Sequence, residues 1–249
     1  MIRLKSAHDI DGIRDSCKLL AETYRELVKL VEVGITTEEL DEFTRDYIVK
    51  RGAKPAFLGY QGYPASLCAS VNNVVIHGIP DKTKLRNGDI ISLDLGVDLK
   101  GYISDAACTV PVGTIAPEVQ TLLTVTQECL GLGIQQATPG NRVKDISLAV
   151  FSHAKKHQFG VVRQFCGHGV GYSLHEDPQI PNYVGGGPNP RLKAGMVLAI
   201  EPMINIGDDD VEILDDGWTV TTVDNSLSAH FEHTVALFED HTEVLTVLP

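Results

Sequence analysis

The order of the predicted secondary structure constrains the fold of this chain more than any single motif does. Apolar residues recur at three- and four-residue spacing in segments 6–33, 36–52, 119–136 and 143–157, which predicts four amphipathic helices. Glycines or a Pro-Gly pair end or separate these segments, as expected at helix boundaries. Strand patterns follow each pair of helices, at 66–71, 90–97, 102–110, 196–204, 218–223 and 233–238.

Two helices followed by strands therefore occur twice along the chain. This repetition indicates an α+β fold with two similar halves. Residues 182–190, with three consecutive glycines and two prolines, are typical of a surface loop beside a site, and no low-complexity linker divides the chain. We expect residues 1–249 to form a single domain, because a chain of this length can bury one large core.

Composition argues against several functions. The formal net charge is −12, and no lysine or arginine run compensates for it, so nucleic acid is a poor partner. A solvated acidic surface explains this charge without any binding site. The five cysteines are scattered, which suits reduced thiols in the cytoplasm. We also expect neither export nor a membrane partner, because no signal peptide or membrane-spanning run is present.

Two aspartates interrupt neighbouring apolar strands. If the chain reverses at Leu99-Lys100, Asp94 lies directly opposite Asp105, with Cβ atoms about 4.5–5.5 Å apart. Two like charges placed in this way are destabilising by themselves. The alternative is a register slip, which would turn one aspartate away to solvent.

Two glutamates likewise place a negative charge in an apolar segment. Glu201 lies inside the apolar run 196–204, and Glu232 leads into the run 233–238. A salt bridge would explain either glutamate alone, but no lysine or arginine adjoins any of the four acids in the sequence. Because burial of an unpaired ion is costly, a shared cationic partner explains the four acids together.

Two divalent metal ions would balance these four carboxylates. His168, between Gly167 and Gly169, would add an imidazole, since its flanks leave close approach open; the alternative is a turn histidine. Oxygen ligands with one imidazole suit cobalt, manganese, iron or zinc. Paired metals lower the pKa of water and polarise a carbonyl, so hydrolysis of an amide or ester is the leading reaction class.

Two further histidines, His77 and His175, lie in segments dense with turn residues. Both suit donation to a polarised substrate or a developing oxyanion, and the alternative for each is an ordinary surface histidine. We interpret the remaining six as surface groups or as groups behind the ligands: His8, His153, His157, His230, His233 and His241.

Taken together, these segments resemble the bacterial, short-chain (type I) methionine aminopeptidases of the creatinase-like metallopeptidases. The resemblance spans nearly the whole chain. It implies the "pita-bread" fold, in which two pseudo-symmetric α+β halves enclose a central cleft with two metal ions. The segments that carry it are 72–80, the Asp94 and Asp105 hairpin, 166–178, 199–203 and 218–237.

The resemblance also implies a role for each ligand. Asp94 would bind one metal, His168 and Glu201 the other, and Asp105 and Glu232 would bridge both. Glu201 would assist proton transfer as water attacks the scissile carbonyl.

Outside the ligand set, the resemblance implies that His175 stabilises the oxyanion and that His77 contacts the substrate. Five further positions match the lining of the methionine pocket, and such a lining suits a flexible thioether. Plain core packing is the alternative for each of them: Phe57, Tyr60, Tyr63, Cys68 and Trp218.

The implied substrate is the initiator methionine of nascent proteins, removed when the next residue is small. The implied setting is the cytoplasm, where the chain acts as a monomer on nascent N-termini and the ribosome is a further candidate partner. Gly96 stands where some relatives carry threonine, and Leu174 where some carry an aromatic residue. These differences bear on metal preference, substrate tolerance and rate.

Two rival functions remain. An X-Pro aminopeptidase or dipeptidase would use the same scaffold, but the single-domain length disfavours it. A peptide-binding module that has lost catalysis is disfavoured because all five ligands are present.

Overall fold

The computed structural model describes residues 1–247 and begins with two helices, α1 (Ala7–Leu27) and α2 (Thr37–Val49). Each starts at a capping box, in which the hydroxyl of Ser6 or Thr36 and an acid three residues later satisfy backbone N–H groups reciprocally. The first helix ends earlier than predicted, because Val28–Leu30 tighten into a 3₁₀ turn. Both predicted N-terminal helices are thus present.

Antiparallel strands follow these helices, and α1 packs across two of them. The fourth strand is the centre of its sheet, because it pairs with three others. Its first eight residues are buried, which explains why the sequence there is an almost continuous apolar run. The strands are β1 (Lys54–Pro55), β2 (Cys68–Val71), β3 (Val74–Ile76), β4 (Ile90–Leu99) and β5 (Tyr102–Pro111).

The hairpin between β4 and β5 turns one residue later than predicted. Lys100 and Gly101 form its two-residue loop with φ of 56° and 86°, as a type I′ turn requires. Asp94 therefore pairs with Ala107, and the prediction that it lies directly opposite Asp105 is wrong. The register differs by two positions. Because side chains alternate with a period of two, both aspartates still lie on one face, as diagonal neighbours.

The second half repeats the order of the first, with both predicted helices followed by strands. Residues 182–190 form the predicted loop, without helix or strand. The elements are α3 (Pro117–Gln136), α4 (Val143–Lys156), β6 (Gly160–Val161), β7 (Cys166–Gly169), β8 (Glu176–Pro181), β9 (Val197–Ile200), β10 (Met203–Asn205), β11 (Val211–Ile213), β12 (Val220–Thr222), β13 (Ser228–His230), β14 (His233–Leu237) and β15 (Thr242–Val244).

The predicted strand 196–204 is two strands that belong to different sheets. β9 lies between β14 and β7, whereas β10 lies between β13 and β6. Pro202 falls between β9 and β10, and it has no N–H with which to continue a ladder. Glu201 therefore lies where the chain passes from one sheet to the other.

Hydrogen bonds join the two halves along the line of acidic residues. The Glu232 N–H donates to the Ala107 carbonyl at 2.8 Å, and the Thr234 hydroxyl donates to the Asp105 carbonyl at 2.7 Å. The largest apolar cluster includes buried residues of α1, such as Leu20, together with buried residues of α3. The candidate site thus lies where the two halves meet.

Candidate metal centre

The first half contributes two of the predicted ligands from one face of its hairpin. Asp94 on β4 and Asp105 on β5 are diagonal neighbours, and the small Ala107 stands directly opposite Asp94. On its other side Asp94 pairs with Cys68 of β2. Because paired residues share a face of the sheet, the thiol of Cys68 lies beside the acids.

The second half repeats this arrangement. His168 on β7 pairs with Ala199 on β9, and Glu201 lies two residues beyond Ala199. The imidazole and the carboxylate are thus diagonal neighbours across a small side chain. Glu232, directly before β14, reaches the cluster through its backbone bond to Ala107.

The ligating atoms of the two halves converge. One ligand atom each from Asp105, His168 and Glu232 lie within 4.8 Å of one another. His168 Nε2 is also 3.4 Å from Glu201 Oε1 and 3.8 Å from Asp105 Oδ2. Asp94 lines the same cavity as these four residues. The structure therefore brings the five predicted ligands together.

Unpartnered polar atoms show that this cluster fits a metal. Within residues 1–247, Asp94 Oδ1, Asp105 Oδ1 and Glu232 Oε1 are buried and have no hydrogen-bond donor. Across the same residues, the ion-pair partners found near the acids are the imidazoles of His168 and His230, not a lysine or arginine. Buried oxygens of this kind are costly unless a cation satisfies them.

The pKa values of the acids point the same way. Burial raises the pKa of Asp94 to about 7. Burial also raises the pKa values of Asp105, Glu201 and Glu232 well above the usual range, and nearby acids add to this effect at Asp105 and Glu232. Positive charge beside the four acids would favour their anionic forms.

His168 is prepared to act as a neutral ligand. Burial lowers its pKa to about 3, so the ring is uncharged at neutral pH. Its Nδ1 lies 3.0 Å from the Gly169 carbonyl oxygen. A proton on Nδ1 would donate to that carbonyl and leave the Nε2 lone pair facing Glu201 and Asp105.

The two other predicted histidines stand at the rim of the cluster. The His175 ring centroid is 4.4 Å from that of His168, and its Nδ1 is 2.8 Å from the Tyr60 hydroxyl. His77 has a φ of 59°, an uncommon conformation, and its ring meets Trp218 edge-on with centroids 6.1 Å apart. Burial lowers both histidine pKa values, that of His77 to about 4.

A cavity of about 210 Å³ opens over the acids. Its wall includes an edge-on contact between the rings of Tyr63 and Trp218, whose centroids are 5.1 Å apart. A larger groove of about 690 Å³ lies elsewhere, and none of the proposed ligands lines it. The smaller cavity contains all five residues that were predicted to form a substrate pocket: Phe57, Tyr60, Tyr63, Cys68 and Trp218.

Sequence reasoning left His230 as either a surface group or a group behind the ligands. It is 1% exposed and its Nε2 lies 3.5 Å from Glu201 Oε2, so it is not a surface group. Its position two residues before Glu232 was the available signal, because alternate residues of a strand share a face. Sequence reasoning did not place five of the cavity-lining residues in the site: Gln61, Ile76, Phe165, Cys166 and Leu174.

Residues 11–239 match the model of metallopeptidase family M24. The fold is accordingly that of a metallopeptidase. A methionine aminopeptidase from Treponema pallidum is 53% identical over 247 residues, covering 99% of this chain and 96% of the relative. The crystal structure of methionine aminopeptidase from Rickettsia prowazekii has a TM-score of 0.97 at 41% identity, covering 99% of this chain and all of that chain. The chain belongs to the methionine aminopeptidases of family M24.

These similarities confirm the predicted pita-bread fold and the use of divalent metal. The prolidase of Pyrococcus furiosus has a TM-score of 0.82 at 22% identity, and this chain spans 66% of its length, so that similarity shows a common fold alone. Within residues 1–247, no helix combines the length and the apolar character needed to cross a membrane.

Proposed function

We propose that the chain hydrolyses the peptide bond after an N-terminal methionine, and that five residues hold two divalent metal ions for this reaction. The observation that carries the proposal is the convergence of ligand atoms from both halves, with those of Asp105, His168 and Glu232 lying within 4.8 Å of one another. No single half supplies this set. The five residues are Asp94, Asp105, His168, Glu201 and Glu232.

The proposed division of ligands is the one that the family resemblance implies. His168 and Glu201 would hold one ion together, and the 3.4 Å between Nε2 and Oε1 supports this pairing. Asp94 would bind the other ion, and Asp105 and Glu232 would bind both; all three acids have an unpartnered buried oxygen within the described residues. Cobalt, manganese, iron and zinc all suit this mixture of carboxylates and imidazole.

The bound ions would supply Lewis acidity that lowers the pKa of water and polarises the scissile carbonyl. Glu201 accepts the proton of the attacking water and passes it to the leaving amine. If the Tyr60 hydroxyl donates to His175 Nδ1, the His175 proton resides on Nε2 and can donate to the developing oxyanion. His77 lies on the same cavity wall and contacts the substrate backbone.

The cavity supplies the proposed specificity for methionine. Phe57, Tyr63 and Cys68 are buried residues of one apolar cluster, against which Tyr60 and Trp218 pack. Aromatic rings and a thiol form favourable contacts with a polarisable thioether. The cavity volume of about 210 Å³ suits a methionine side chain.

We further propose a physiological setting for this activity. The substrates are nascent proteins with a small second residue, and the chain acts as a cytoplasmic monomer that receives them at or near the ribosome. A single catalytic domain spanning residues 1–249 is supported by the apolar cluster that includes residues of both α1 and α3.

Metal removal with a matched pair of variants tests this proposal. We expect EDTA to abolish cleavage of Met-Ala-Ser and Mn²⁺ or Co²⁺ to restore it. Asp94→Asn should lower the bound metal content and the cleavage rate, whereas Asp240→Asn, which changes an exposed aspartate, should leave both unchanged. A folded, metal-loaded chain that cleaves Ala-Pro-Ala instead would support the X-Pro alternative, and cleavage of neither peptide would support the binding module.

A further inference from the structure

Outside the catalytic cluster, one other group of side chains within residues 1–247 has ligand atoms placed for a metal ion. One atom each from Glu128, His153 and His157 lie within 4.8 Å of one another. Glu128 is on α3, and His153 is in the last turn of α4, which ends at the cap residue His157. None of the three lines the catalytic cavity.

The spacing of the two histidines places both rings on one side of α4. Residues four apart are neighbours on a helix surface, and the two ring centroids are 4.9 Å apart. Glu128 comes from the adjacent helix, with its Oε2 2.7 Å from His153 Nε2. The ligand set is therefore two imidazoles and one carboxylate on two different helices.

The helices that carry these ligands are held closely together. The Cys129 thiol, next to Glu128, lies 3.6 Å from the Val150 carbonyl oxygen. A methyl group placed on Gly133 would lie 3.1 Å from Val150 Cγ2, so α3 and α4 approach closely there. Rigid elements of this kind keep ligand atoms at a fixed separation.

The C-terminal end of α4 favours a cation, although Lys156 in the same last turn is itself positively charged. His157 caps the C-terminus of α4, where the helix dipole and the last carbonyls carry partial negative charge. The nearby Lys155 is turned to Asp209, with 2.6 Å between Nζ and Oδ1, so that carboxylate offsets its charge. Glu128 and both histidines remain partly or fully open to solvent, which leaves further coordination positions to water.

We propose that Glu128, His153 and His157 form a second metal site, separate from the catalytic centre, that takes a single divalent transition-metal ion. Two imidazoles select the zinc, copper, nickel and cobalt class over calcium or magnesium. The ion links the end of α4 to α3 and stabilises the second half of the chain. It contributes nothing to the hydrolytic step, so this site is independent of the proposed function.

Counting bound Zn²⁺ tests the proposal directly. By equilibrium dialysis followed by elemental analysis, the wild-type chain should bind one more ion than the double variant His153→Gln/His157→Gln. His8→Gln, which removes an exposed histidine of α1, is the matched control and should keep the wild-type count. Peptide cleavage should be equal in all three chains.

Two further measurements keep the test decisive. On a Ni²⁺-charged chelating column, the wild type and His8→Gln should need more imidazole for elution than the double variant. Glu128→Gln retains both histidines and should weaken Zn²⁺ binding at this site by at least about tenfold. Equal ion counts and equal elution of the wild type and the double variant would overturn the proposal, as would a loss in His8→Gln as large as in the double variant.

Discussion

Lys5 Nζ lies 2.7 Å from Glu176 Oε2, and the two side chains are 1% and 4% exposed. Glu176 also accepts hydrogen bonds from the backbone N–H groups of Tyr172 and Ser173, at 2.8 and 3.0 Å. It directly follows His175, so this buried pair holds the turn that places His175 beside the candidate metal ligands. An ion pair 171 residues apart in sequence thus supports the candidate site.

Removal of one partner should be strongly destabilising. Glu176→Leu leaves the Lys5 ammonium buried without its carboxylate, and we expect a loss of about 3–5 kcal/mol in the free energy of unfolding, measured with urea. The control is Lys5→Met/Glu176→Leu, which removes both charges and should recover most of this loss. If the single and double variants were equally unstable, the pair would have no special role.

Acid should weaken the same contact. Burial alone would raise the pKa of Glu176, but hydrogen bonds from Lys5 and the backbone outweigh it and lower that pKa below its usual range. In the unfolded chain the pKa of Glu176 is about 4.3, and above that pH the ionised carboxylate contributes its full stabilisation to the fold. This stabilisation is lost as the pH falls through the lower pKa of the folded chain. Between pH 5 and pH 3 the wild type should therefore lose more unfolding free energy than Lys5→Met/Glu176→Leu. Burial also lowers the pKa of Lys5, but the short contact identifies the ion pair as the neutral-pH state.

The hydrogen bond between Tyr60 and His175 should affect catalysis but not metal binding. His175→Ala should lower kcat by about 10²–10³, the usual effect of losing an oxyanion donor. Tyr60→Phe removes the hydroxyl that lies 2.8 Å from His175 Nδ1 and should lower kcat by a smaller factor. Metal content, measured by elemental analysis, should be unchanged in both variants. Metal loss in His175→Ala would instead make His175 a ligand.

His230 should act through Glu201. Within the described residues its two ring nitrogens have no hydrogen-bond partner, and Nε2 lies 3.5 Å from Glu201 Oε2. An imidazole behind a ligating carboxylate helps to orient it, so His230→Phe should weaken metal binding by about 10–100-fold in a chelator competition. His230→Gln retains a hydrogen-bond donor and should lose less metal affinity than His230→Phe. Equal metal affinity in the wild type and His230→Phe would contradict this role.

Gly96 should be required by the packing of Phe57 in the proposed pocket. A Cβ at Gly96 would lie 2.9 Å from Phe57 Cε1 and 3.1 Å from the Ser104 carbonyl oxygen. Gly96→Thr should therefore displace the Phe57 ring, raise KM for methionyl peptides and cost about 1–3 kcal/mol of stability. Adding Phe57→Leu should relieve part of the clash, and strictly additive stability effects would show that the two residues do not interact.

Several features of the fold follow from local signals. The four helices were predictable because apolar periodicity and capping residues act within a few positions, as at Ser6 and Thr36. The prediction that Asp94 and Asp105 share a face held because side chains alternate with a period of two and the observed register differs from the predicted one by two positions. Their register was not predictable, because the positive φ values of Lys100 and Gly101 set it, and the pattern of apolar residues does not report these angles.

The sequence by itself showed four acids in or next to apolar strand segments without a lysine or arginine beside them, and it therefore predicted a shared cationic partner. The tertiary structure decided which atoms meet. It placed His230 behind Glu201, Lys5 against Glu176, and Glu128 beside two histidines of another helix. The physical reason is that secondary-structure propensity and apolar periodicity depend on residues close together in the sequence. These contacts depend instead on how separate elements pack, which no local pattern encodes.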